Sequence, residues 1–98
     1  MRLSKIENNI RLATREAQRL VDAEFANCNG KPEEGSALDQ LGLTDAQHII
    51  EEYLSAGEAG LAFEHLVYMI EETDIAISND TLKLIRDTGI ALKMDISI

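Results

Sequence analysis

Apolar residues recur at helical spacing from the first residues of the chain. Leu3, Ile6, Ile10, Ala13, Ala17 and Leu20 follow steps of three and four, which places them on one face of a helix. Val21, Phe25 and Cys28 continue that face after a small drift. Ser4 or a neighbour caps the start of this helix, and Asn29-Gly30 supplies its stop. The pattern predicts roughly 24–27 residues, a rod of about 40 Å at 1.5 Å per residue. A globule of 100 residues has a radius of gyration near 13 Å. The first helix therefore crosses the whole domain, bends, or projects from it, and projection implies a homodimer.

Lys31-Pro32-Glu33-Glu34-Gly35-Ser36 reads as a loop, and Ser36 to Leu41 as a short helical turn ended by Gly42. Thr44 and Gln47 have the spacing of a capping box. They open a second helix with Ala46, Ile49, Ile50, Tyr53 and Leu54 on its apolar face. Asp45, His48, Glu51, Glu52 and Ser55 form its wet face, and Gly57 ends it. Glu58 opens a third helix at the end that favours negative charge. That helix is apolar around almost its full circumference, from Ala59 to Ile70, which predicts a place at the centre of a bundle. An extended link at 74–77 leads to Ser78, an N-cap with Asp80 in the first turn and Ile77 placed to staple onto Leu82. Leu82, Ile85, Gly89 and Leu92 face inward on the fourth helix, and Ile96 and Ile98 pack back. The expected fold is all-α: a single domain over 1–98, a compact bundle of four main helices plus a short helical turn.

Composition narrows the function classes. The chain has 98 residues, one cysteine, no tryptophan and a net charge of −9. One cysteine excludes an internal disulfide framework and a multi-cysteine zinc site. No apolar run approaches the ~20 residues of a membrane span. Met1-Arg2-Leu3-Ser4-Lys5-Ile6-Glu7 does not read as a secretory signal, so the expected compartment is the cytoplasm. A surplus of acid argues against direct nucleic-acid binding, which requires lysine and arginine on phosphates.

The charge is unevenly placed. Residues 1–31 carry six basic and four acidic residues, whereas residues 32–82 carry twelve acidic residues and neither lysine nor arginine. Solvated helical faces usually mix signs, because opposite charges four residues apart are mildly stabilising. A segment this one-sided serves solubility, or it presents a surface to a basic partner. Glu71, Glu72 and Asp74 stand at the predicted C-terminal end of the third helix, where negative charge opposes the macrodipole by about 0.3–1 kcal/mol each. They mark function, or Lys83, Arg86 or the first helix's arginines reach them across the bundle.

Candidate chemistry is sparse. His48 has Glu52 four residues on, but di-metal bundles use Glu-x-x-His on two helices, and this chain offers only Asp45-x-x-His48. His48 is read as a surface histidine and His65 as a partly buried one, with no metal or other cofactor expected. Cys28 lies near a helix C-terminus, where a thiol pKa rises, so it reads as core and not as a nucleophile. Neither a nucleophile elbow nor a phosphate-cradling loop occurs, and no enzyme is expected. Arg11, Arg15 and Arg19 form a basic stripe with Glu7, Glu16 and Asp22 at pairing distance, a balanced solvent face.

Gly57-Glu58-Ala59-Gly60-Leu61-Ala62-Phe63-Glu64-His65-Leu66, followed by Glu71-Glu72-Thr73-Asp74-Ile75-Ala76-Ile77-Ser78, resembles the Maf-type immunity proteins. These are small bacterial antitoxins paired with secreted polymorphic toxins, including those of contact-dependent growth inhibition. The likeness covers roughly residues 44–95. It implies a protein that binds the C-terminal domain of a cognate toxin and blocks it. Many such toxins are ribonucleases, whose phosphate-holding active sites are basic, and an acidic inhibitor complements them. The expected toxin-binding residues are Glu51, Glu52, Glu58, Glu71, Glu72 and Asp74, with Tyr53 or Tyr68 as an aromatic anchor or a core residue. Glu64 is expected to pair with an arginine of the chain. The alternative reading is an acidic helical adaptor that binds a basic protein or peptide.

Overall fold

A computed structural model describes residues 1–27, 46–73, 75–94 and 96. Four helices account for most of them: α1 (Leu3–Asn27), α2 (Ala46–Ser55), α3 (Ala59–Glu71) and α4 (Asn79–Ala91). The expected turn at Ser36–Leu41, the Thr44 cap, Cys28, Asp74 and Ile98 lie outside the described residues. The radius of gyration is 13.2 Å and the longest dimension 40 Å. At 25 residues, α1 therefore crosses the whole domain.

The buried face of α1 is Ile6, Ile10, Ala13, Ala17 and Val21. Leu3, expected on that face, is 60 % exposed, because it is the first helical residue and precedes the packed turns. Ser4 lies inside the helix, and the Arg2 carbonyl accepts the first bonds, from the Lys5 and Ile6 amides at 3.0 Å. Polar side chains flank the apolar stripe: Asn9, Thr14 and Gln18 are all buried.

α1, not α3, is the centre of the bundle. It packs against α2, α3 and α4, whereas α3 packs chiefly against α1 and α2. The apolar circumference of α3 misleads because its buried set, Ala59, Ala62, Phe63, Leu66, Met69 and Ile70, is one wide stripe. Leu61 is 43 % exposed, and Val67 and Tyr68 are half-buried. α3 reaches α4 through Phe63, whose ring lies against Gly89.

Two helix ends share one closure. At the end of α2 the Gly57 amide donates to the Leu54 carbonyl at 3.1 Å and the Glu58 amide to the Tyr53 carbonyl at 2.8 Å. This is a Schellman motif, and it needs the left-handed backbone that Gly57 adopts at φ 78°. At the end of α4 the Lys93 amide donates to the Ile90 carbonyl and the Met94 amide to the Gly89 carbonyl. Here a lysine takes the left-handed position, at φ 58°. The motif turns the chain so that Met94 and Ile96 pack back on the core.

Two helix starts are closed from α1. Gln18 Oε1 accepts from the Gln47 amide in the first turn of α2 at 2.9 Å. Glu16 accepts from the Ser78 amide at the start of α4 at 2.8 Å. Ser78 is also the expected N-cap of α4, its hydroxyl accepting from the Thr81 amide at 3.3 Å. α2 and α4 thus both begin beside the middle of α1 and run antiparallel to it. The pairs Arg11–Glu51 and Asn9–Thr88 confirm that direction further along. Among the described residues no helix is long and apolar enough to cross a membrane.

Candidate functional site

The acidic residues singled out from the sequence fall into two groups. Glu51 and Glu52 lie in the second half of α2, and Glu58 lies just beyond the turn, as the residue preceding α3. Glu71 is the last residue of α3 and Glu72 follows it. All five are exposed. The 13 residues of α3 separate the groups by about 20 Å at 1.5 Å per residue. The hairpin of α2 and α3 therefore carries exposed acid near both of its ends instead of in one cluster.

Glu51 is not a bare carboxylate. The Arg11 guanidinium grips it through Nε and Nη2, at 2.9–3.1 Å, in a fork that links α1 to α2. The hydrogen bonds from Arg11 hold the Glu51 carboxyl below its ordinary range, against the opposing effect of burial, and the charges of Arg11 and Arg15 add to the lowering. Among the described residues Glu52 pairs with His48, at 2.9 Å, and both side chains are about two-thirds exposed or more. His48 is thus on the surface, as its position on the wet face implied. Among the described residues no three histidine, cysteine, aspartate or glutamate side chains gather as a metal set.

The arginine stripe of α1 is balanced differently from its sequence spacing. Arg11 turns to Glu51 on α2. Glu16 turns to α4, where the hydroxyls of Ser78 and Thr81 also donate to it, at 2.9 and 3.2 Å. Asp22 accepts from the Gln18 amide group at 3.0 Å. Glu16 is therefore employed in a tertiary contact and Asp22 in one within α1, and Arg15 and Arg19 remain exposed on the outer face of α1.

α3 adds a groove of about 240 Å³ between itself and the returning tail. Phe63, Val67, Met94 and Ile96 line it, and Glu64 and Glu71 are part of its wall. Glu64 is exposed and forms no ion pair among the described residues, so the expected arginine partner is not found there. Tyr53 and Tyr68 are both half-buried against the core. The Tyr68 ring tilts against His65 at a centroid distance of 5.7 Å, and His65 Nε2 is buried without a hydrogen-bond partner among the described residues.

One feature of this surface extends beyond the basic stripe that the spacing predicts. Lys5, Asn8, Leu12, Arg15 and Arg19 form a continuous exposed ridge along α1. Its signal was present, since steps of three and four join these positions, and the next step reaches Asp22. Comparison of the chain with protein-family models, with curated proteins and with solved structures returned no match.

Proposed function

We propose that the chain is an immunity protein. It binds a cognate secreted toxin domain of the contact-dependent inhibition type, a basic ribonuclease, and blocks it by covering its surface with an acidic face. The observation that carries this reading is the composition of the α2–α3 hairpin. It exposes Glu52 and Glu58 near one end and Glu71 and Glu72 near the other, and residues 32–82 hold no lysine or arginine. Arg11 neutralises Glu51, so Glu52 and Glu58 lead at the turn end. A surface of this sign steers a basic partner into contact and disfavours neutral or acidic ones. No chemistry by the chain itself is needed, and a rigid bundle suits inhibition by occlusion.

The test is co-expression with the toxin domain encoded immediately beside this gene, followed by co-purification and an RNA-cleavage assay. The expected result is a stable complex without cleavage, weakened by salt. A chain that leaves such a domain unbound and active overturns the proposal and favours an acidic adaptor for a basic peptide.

A further inference from the structure

The ridge of α1 and the flank of α2 carry opposite charge and lie side by side. Lys5, Arg15 and Arg19 stand on one, with Leu12 53 % exposed among them. Glu51, Glu52 and Ser55 stand on the other. The Arg11–Glu51 ion pair, at 2.9 Å, is the seam between the two flanks. Three shallow hollows run across it without interruption. The first, on the basic side, shares Arg11 and Arg15 with the second, which shares Glu51 with the third, on the acidic side.

Two buried polar groups line these hollows. Asn9 and Thr14 are 4 % and 2 % exposed. Each keeps an oxygen without a hydrogen-bond partner among the described residues, Asn9 in the first hollow and Thr14 in the second. Unpaired buried polar atoms are uncommon and costly.

The geometry points to a second copy of this chain as the occupant of the α1–α2 face. A basic foreign protein complements only the acidic half of it, and an anionic ligand only the basic half. A surface that is basic on one side of a line and acidic on the other is complementary to itself. A two-fold axis lying along the seam sets α1 of one copy over α2 of the other, and the same contact recurs with the roles exchanged. Arg15 of each copy then faces the Glu52 side of its mate, and Leu12 is covered. The contact is isologous, closes at two copies and depends on salt. It shares Glu52 with the proposed toxin surface, so a basic partner there displaces the second copy. The dimer itself concerns the chain alone and is tested without a toxin.

The experiment is sedimentation equilibrium of the full chain at low and high salt. The samples are the wild type, Arg15→Glu, Glu52→Arg, the double variant, and an equimolar mixture of the two single variants. Both positions are exposed, and circular dichroism checks that each variant remains helical. A reversible dimer that weakens at high salt is expected for the wild type. Each single reversal is expected to weaken it at least about tenfold. The double variant, and the mixture through a heterodimer, are expected to regain the wild-type association. A wild-type chain that stays monomeric, species larger than a dimer, or single reversals without effect would overturn the assignment. So would a double variant and a mixture that both remain dissociated.

Discussion

The Glu16 carboxylate sits on the first turn of α4, accepting the Ser78 amide at 2.8 Å across a gap of 62 positions in sequence. It combines a hydrogen bond to an otherwise orphaned amide with negative charge at a helix N-terminus, both of which stabilise α4. Glu16→Ala is expected to lower stability by about 1–2 kcal/mol. Hydrogen exchange of the α4 amides should accelerate more than that of α3. Equal acceleration in both helices would show that Glu16 does not act through the start of α4.

The same contact predicts how stability responds to acid. Partial burial pushes the Glu16 carboxyl up, but the bonds from the Ser78 amide and from the Ser78 and Thr81 hydroxyls, with the charge of Arg19, outweigh it and leave it below its ordinary value of 4.5. The unfolded chain therefore binds this proton more readily than the folded one. The contribution is complete above the ordinary carboxylate range and drains away as pH falls through the lowered folded value. Urea midpoints of the wild type and Glu16→Gln are expected to differ at neutral pH and to converge in acid. A gap that stays constant through the acid range would refute this.

Lys93 holds a left-handed position that glycine fills at the matching end of α2. A side chain there costs on the order of 1 kcal/mol. Lys93→Gly is expected to raise the thermal midpoint, since the amide bonds of the motif stay in place. A fall in the midpoint would mean that the lysine side chain contributes more than its backbone costs.

Gly60 and Gly89 look alike in sequence, as single glycines within helices, and differ in surroundings. A methyl group at Gly60 meets nothing within 4 Å. At Gly89 it stands 3.3 Å from both Phe63 Cζ and Ile96 Cδ1. Gly60→Ala is expected to add about 0.5 kcal/mol of stability. Gly89→Ala is expected to add nothing, and Gly89→Val to remove about 1–3 kcal/mol by overpacking. Chemical denaturation of the three variants orders them directly.

The proposed toxin surface has its own separable test. Reversing Glu71 and Glu72 together leaves the α1–α2 face untouched, whereas reversing Glu52 alters both that face and the hairpin. Each change is expected to weaken binding of a basic toxin domain about tenfold or more and to flatten its salt dependence. If both leave affinity and salt dependence unchanged, toxin does not bind on the hairpin.

Local physics makes the helices legible in the sequence. Steps of three and four located α1, the Gly57 stop was read correctly, and Ser78 was identified as the cap of α4. Pairings between distant elements were not legible. Glu16 has arginines at pairing distance on its own helix, and only the packing of α4 shows that its carboxylate goes to Ser78. Arg11 likewise has Glu7 one turn away, yet its fork closes on Glu51. The centre of the bundle was misread because Ala13 and Ala17 carry little hydrophobic weight in a pattern. Their small side chains nonetheless leave α1 shallow enough for neighbours to close over it. Of the candidate surface, the acidic residues were visible as composition, and their division into two ends of a hairpin was not.

The two starts closed from α1 set the order in which the chain can assemble. α2 and α3 are joined by a short turn and meet through local contacts, so they can pair early. Gln18 and Glu16, by contrast, serve amides 29 and 62 positions away, and both stand within one turn of the same helix. Neither α2 nor α4 gains its outside acceptor until α1 has docked. One docking event therefore completes two helices at once, which ties local order to global order and favours all-or-none folding over helix-by-helix growth.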